Sequence, residues 1–221
     1  MNMSQLLISP NQDSSSKKRI VVPYITSWSR ERDVPYTLVE RPGVGIAYAD
    51  ETLADRDSHG VLWQRSASRP HHGRPQFGKV HPLRQRRAMR KLLCQVCGGP
   101  ADHTNDGVLW VLPDHREDWV DWPDGMANVE PPICQPCVRL SLRLCPRLRM
   151  GAVVIRVRQF PIAGVRGVLY QRNGAAVAAV DEAVVAFDDP AIRWVCAANL
   201  VRQLGSCTIM RPAEFADQLT E

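Results

Sequence analysis

Four cysteines set as two C-x-x-C pairs, Cys94-Gln95-Val96-Cys97 and Cys134-Gln135-Pro136-Cys137, constrain this chain more than any other feature. A two-residue spacer lets one turn present two thiolates to a common point, and zinc takes four such ligands in a tetrahedron. Gly98-Gly99 follows the first pair and permits a tight fold-back, while Pro131-Pro132 precedes the second. The chain has seven cysteines, an odd number, and in a reducing compartment this pattern favours a metal over disulfides. Cys145, Cys196 and Cys207 lie singly in apolar settings and read as core residues. The expected cofactor is one Zn2+ on Cys94, Cys97, Cys134 and Cys137, in a structural role.

A chain of 221 residues, 44% of them hydrophobic, can bury one sizeable core or two small ones. No apolar run nears the roughly 20 residues that span a bilayer, so no membrane partner is expected. Residues 1–16 are polar, with no apolar stretch behind a basic one. They read as part of a disordered lead-in over 1–18 rather than a signal peptide, and the expected location is cytoplasmic.

The net charge of +5 hides strong segregation. Residues 58–101 carry nine cations and no carboxylate, and residues 102–130 carry eight carboxylates against Arg116 alone. Residues 131–180 then hold eight arginines and no carboxylate. Such blocks create local fields that suit a polyanion or an acidic protein partner, unless opposite faces neutralise one another within the fold. Arginine outnumbers lysine 24 to 4, a bias that goes with GC-rich bacterial coding sequence.

Residues 19–26 (RIVVPYIT) read as a strand, and 36–40 and 44–49 as a hairpin about Arg41-Pro42-Gly43. Residues 60–65 (GVLWQR) form a further candidate strand, and 66–81 a loop or exposed arm. Pro82 opens a predicted helix through Leu93. After the first cysteine pair, 107–112 (GVLWVL) reads as a strand and 113–132 as a long acidic loop. A second helix is predicted from the second cysteine pair to Cys145, where Pro146 stops it. Residues 152–159 and 165–172 read as a hairpin, 175–187 as strand, 189–204 as helix, and 208–210 as a last short strand. The predicted class is α+β. A β-rich region (19–65), a basic arm and helix (66–93), a central zinc finger (94–150) and a hairpin–helix region (151–221) follow the lead-in.

A knuckle, a hairpin and two ligands at the first turn of a helix form the treble-clef arrangement. Within that class, residues 94–137 resemble the zinc-bearing HNH endonucleases. Those carry C-x-x-C-G, a strand ending in Asp-His, an Asn-containing loop and a second C-x-x-C. Here Cys97-Gly98, Asp114-His115, Asn128 and the pair Cys134 and Cys137 fall in that order. The resemblance implies His115 as general base and Asn128 as the brace of the loop around it. Where the family sets a metal-binding His on the helix, this chain has Val138, Arg139 and Leu140. The catalytic metal thereby loses a ligand, with Asp114, Glu117, Asp118 and His103 as the substitutes at hand. The whole chain is also similar to zinc-cysteine proteins of actinomycetes, a likeness that implies no activity.

Arg84, Arg86, Arg87, Arg90 and Lys91 on the predicted first helix are the candidate nucleic-acid contacts. Arginine offers bidentate donors to phosphate, and a carboxylate-free block does not screen itself. Arg139 and Arg143, one turn apart on the second helix, extend the set. No P-loop, G-x-S-x-G or dinucleotide-binding glycine pattern is present. Three readings follow: a zinc-structured, non-catalytic nucleic-acid-binding protein, which leads; a divergent HNH-type metal-dependent nuclease using His115; and a protein–protein adaptor or structural protein.

Overall fold

The computed structural model describes residues 20–174 and 176–210, so the lead-in expected over 1–18 lies outside the described residues. In chain order the elements are β1 (Thr26–Trp28), β2 (Leu38–Arg41), β3 (Gly45–Tyr48), β4 (Leu62–Trp63), β5 (Pro75–Val80), α1 (Pro82–Lys91), β6 (His103–Thr104) and β7 (Gly107–Pro113). They continue as β8 (Ala127–Asn128), α2 (Gln135–Leu144), α3 (Pro146–Arg149), β9 (Ala152–Gln159), β10 (Ile162–Asn173), β11 (Ala176–Ala186), β12 (Val195–Gln203) and β13 (Gly205–Ile209). The fold is mixed α and β, and no helix among the described residues is long and apolar enough to cross a membrane.

Two sheets dominate. One runs β11-β10-β12-β4, antiparallel except for the parallel β12–β4 pair, with β8 also on β12. The other runs β13-β9-β7-β6, antiparallel throughout. β7 explains its own unbroken apolar sequence, because both of its faces are covered. Val108, Trp110 and Leu112 enter one core cluster, while Leu109 and Val111 enter the cluster that contains Cys94 and Cys137. A third cluster joins Met89 of α1 to Trp63, Val165, Val195 and Leu200 of the first sheet.

α1 starts and stops where its sequence dictates. Pro82 occupies the first turn, where a missing N–H does no harm, and His81 before it is extended. At the far end Leu92 turns left-handed at φ 50° and returns its N–H to Ala88 O. Arg90 and Lys91 fill the last turn, where cations complement the helix dipole. Gln85 fixes the helix to β12 by accepting from Leu200 N at 3.0 Å and donating to Leu200 O at 2.9 Å. Arg202 of β12 adds donors to the Met89 carbonyl.

Several local expectations are corrected. β9 and β10 do not form a hairpin: they part at Phe160-Pro161, and each becomes an inner strand of a different sheet. The helix expected over 189–204 is a single 3-10 turn, Pro190–Trp194, followed by β12. β12 is paired on both edges and largely buried, so its sequence shows none of the alternation that marks a half-exposed strand. The 151–221 region is therefore almost wholly strand where described. Of the strand expected at 19–26, only Thr26 lies in β1, and Tyr24 and Ile25 give their N–H groups to the Val96 and Gln95 carbonyls instead. The arm at 66–81 contains β5, paired with β1, which its proline and glycine concealed.

The largest correction concerns Arg84, expected on the basic surface. Its side chain is 8% exposed and faces inward, donating from Nη1 and Nη2 to the two Glu31 carboxylate oxygens at 2.7 Å each. Nη2 also donates to Thr26 O at 2.7 Å. Burial would push the Glu31 carboxyl up, but Arg84 and the N–H groups of Trp28 and Arg69 outweigh it and hold the pKa at about 2. The folded value lies below the ordinary 4.5, so this contribution is complete above about pH 5 and is lost as pH falls towards 2. Thermal melts between those limits should show that decline. Arg84→Ala leaves a buried carboxylate unpaired and should cost about 3–5 kcal/mol in urea unfolding at neutral pH.

Candidate metal centre and basic cleft

The four cysteines expected to bind metal come together. Their sulfur atoms all lie within 4.8 Å of one another. The first pair is presented by a knuckle in which Cys94 N donates to Gly99 O at 2.7 Å and Gly98 N to Cys94 O at 2.9 Å. Gly98 sits at φ +74°, and a Cβ there would meet the Tyr24 ring at 2.8 Å, so no other residue fits the fold-back. The second pair begins α2: Cys134 is its extended N-cap, and Cys137 N returns to Cys134 O at 3.0 Å. Gln95 N donates to Pro132 O, which ties the knuckle to the approach to α2.

The donor set fits zinc. Tetrahedral geometry with Zn–S near 2.3 Å sets the sulfurs about 3.8 Å apart. Cys97 Sγ and Cys134 Sγ are 3.7 Å apart. Burial pushes the Cys134 thiol up to about 11 and the Cys137 thiol well above its usual range, with the neighbouring Cys94 sulfur adding to the rise in both. For Cys97, burial also acts upward, but the Gly99 N–H and the surrounding thiols outweigh it and leave the group low. Crowded sulfurs with little counter-charge are the environment that a dication stabilises. Cys145, Cys196 and Cys207 take no part in the cluster; Cys196 is buried against Tyr48.

His115 and Asn128 are not brought to this centre. His115 is exposed on a turn after β7, with Nδ1 3.4 Å from Asp118 Oδ2, beside a surface hollow of about 550 Å³. Asp114 in that hollow holds Arg116, whose hydrogen bonds keep the carboxyl below its usual range. Asn128 is fully buried in β8, where its amide donates to Glu130 O at 2.9 Å and accepts from Glu130 N at 3.1 Å. Both ends of that side chain brace its own turn.

The remaining cations of α1 share one cleft of about 730 Å³, lined by Arg86, Arg87, Arg90 and Lys91. Arg86 stacks its guanidinium over the Trp63 ring at 4.2 Å, and Arg90 Nη2 lies 3.5 Å from Asp57 Oδ2. Among the described residues, no side-chain hydrogen bond or ion pair engages Arg86, Arg87 or Lys91. Arg139 is half-buried and Arg143 exposed on α2, and neither lines the cleft.

Three of the eight carboxylates of the acidic 102–130 segment find arginines away from α1. Asp102 pairs with Arg156 and Asp106 with Arg158, both on β9, while Asp114 takes Arg116. The aromatic wall of the cleft was not legible as a site: Phe187 stands far from His59 and Trp63 in sequence, and Trp63 and Phe187 read only as members of separate candidate strands, 60–65 and 175–187. No protein-family model matches the chain, and no curated protein or solved structure matches it significantly.

Proposed function

We propose that this is a zinc-structured, non-catalytic nucleic-acid-binding protein. Cys94, Cys97, Cys134 and Cys137 hold one structural Zn2+ in a treble-clef arrangement of knuckle, β6–β7 hairpin and α2. The ion supplies cross-linking of two chain segments, the knuckle and the start of α2, and no reactivity, since four thiolates leave no open coordination position. The exposed cations of α1 bind phosphate.

One observation carries the second half of this reading. Three of the eight carboxylates of the acidic segment, Asp102, Asp106 and Asp114, pair with Arg156, Arg158 and Arg116. Among the described residues the ion pairs of α1 go to Glu31 and Asp57 rather than to that segment, while Arg86, Arg87 and Lys91 line a cleft without an ion pair of their own. Internal neutralisation of the helix by the acidic loop, the alternative open from sequence, draws no support from that pairing. The adaptor reading then requires an acidic partner to fill the same cleft. The nuclease reading rests on His115 and its neighbouring carboxylates, but Asp114 is engaged by Arg116 and Asn128 by its own turn.

Purified protein should contain one zinc per chain, and Cys94→Ser or Cys137→Ser should give insoluble or molten material, because structural zinc contributes on the order of 10 kcal/mol in finger peptides. Metal-free protein that melts cooperatively at the same temperature would remove zinc from this account.

Affinity for nucleic acid should fall steeply with salt, by roughly 0.9 in log K per log salt for each duplex phosphate contact. Changing Arg87, Arg90 and Lys91 together to Ala should flatten that slope by about two to three units with zinc content unchanged. A wild-type protein with no salt-dependent retention on DNA or RNA would leave the adaptor reading in front.

Supercoiled plasmid incubated with the protein and Mg2+ or Mn2+ should stay intact. Nicking that disappears in His115→Ala would replace the non-catalytic reading with the nuclease.

A further inference from the structure

The cleft beside α1 has a chemistry that phosphate binding alone does not call for. Two planar groups are held in it, each fixed from behind. His59 stacks on Phe187 with ring centroids 4.3 Å apart and planes at 11°, and His59 itself is solvent-exposed. Arg86 sits over Trp63, its guanidinium carbon 4.2 Å from the ring centroid, so Trp63 backs the guanidinium where Arg86 lines the cleft.

Asp57 organises both platforms. Its Oδ1 accepts from His59 N at 3.0 Å and from Val61 N at 3.3 Å, which sets the turn that carries His59. Its Oδ2 accepts from Trp63 Nε1 at 3.0 Å, which sets the indole beneath Arg86. The other charge in the wall near Asp57 is also committed: Arg56 donates to Glu51 through Nε and Nη2 and to Gly60 O through Nη1. What remains for a ligand is therefore Arg86, Arg87, Lys91 and part of Arg90, set among two flat surfaces. Burial, and then the nearby Arg90, pull Arg86 down to about 10, so it stays protonated at neutral pH and gains from an incoming anion.

A duplex offers phosphates but keeps its base faces stacked inside. An acidic peptide offers carboxylates and few planar groups. An unstacked nucleotide offers an anion and a flat ring together, and proteins that hold single strands combine basic grooves with aromatic or guanidinium stacking surfaces. The cleft volume of about 730 Å³ suits a nucleotide-sized group.

Resting on the reading of α1 as a nucleic-acid surface, we infer that this cleft takes an unstacked nucleotide of a single strand. Its phosphates lie on Arg87 and Lys91, and its base lies against His59 and the guanidinium of Arg86.

The test compares a labelled oligothymidylate of about 15 nucleotides with a duplex of equal length, by fluorescence polarisation on the full chain, using His59→Ala and Arg86→Lys. Arg86→Lys keeps the charge and removes the plane, while His59→Ala alters an exposed ring; melting temperature and zinc content report on folding. The wild type should prefer the single strand, and each variant should weaken it about tenfold, within the range of one base–side-chain stack, with less than about a twofold change on duplex. Equal affinity for both forms, with both variants silent, overturns the stacking inference and leaves phosphate binding by α1 standing. Displacement of the oligonucleotide by polyglutamate at equal charge concentration also overturns it, in favour of an acidic protein. Binding to neither nucleic acid removes the inference together with the reading beneath it.

Discussion

Convergence of the four cysteine sulfurs on one point holds together stretches of chain that no β-ladder joins. Cys94 and Cys97 belong to a knuckle, Cys134 to the cap of α2 and Cys137 to its first turn. The knuckle also accepts Tyr24 and Ile25 through the carbonyls of Val96 and Gln95, and those residues lead straight into β1 and Glu31. Because α1 ends three residues before Cys94, its C-terminus is fixed by the same turn. Its N-terminal half is fixed by Glu31 through Arg84, and its middle by β12 through Gln85. The helix is thus held at three places, and each lies on its inward face. The outward face, with Arg87, Arg90 and Lys91, is left to the solvent on a rigid support.

The charge pattern resolves into three different uses of arginine. Arg84 and Arg202 are buried, where they bridge segments through a carboxylate or main-chain carbonyls. Arg156 and Arg158 answer the acidic segment across the second sheet. Arg86 rests on the Trp63 ring, and neither it nor Arg87 nor Lys91 has an ion pair among the described residues. A buried guanidinium needs fixed acceptors to offset its desolvation, whereas a solvent-exposed one such as that of Arg87 loses little by remaining unpaired. Block charge in the sequence does not distinguish these cases, since the partners of Arg84 and Arg156 lie 53 and 54 residues away.

What could be read from the sequence followed from local chemistry. The C-x-x-C spacing, Pro82 at a helix start, Pro146 at a helix stop and the Arg41-Pro42-Gly43 turn all act over a few residues, and each corresponds to an element found in place. The failures were non-local. β12 resembles a helix in sequence because it is buried on both faces, and burial there depends on strands far away in the chain. β9 and β10 look like two arms of a hairpin because only their mates, β7 and β12, reveal that each has a better place. The cleft was hidden for the same reason: α1 announced its charge, but His59, Trp63 and Phe187 become one wall only after the first sheet has formed.

The position of β12 late in the chain has a consequence for the order of events during folding. α1 is made of residues that leave the ribosome long before their support exists: Gln85 and its partner Leu200 are 115 residues apart. Loop closure of that length is slow compared with helix formation, and topologies rich in such contacts fold late and together. Until β12 arrives, the basic helix has an exposed apolar face and no seat for Met89. The nascent chain therefore presents its cations before it presents the cleft, and any selectivity that the cleft confers is acquired only as the C-terminal strands complete the sheet.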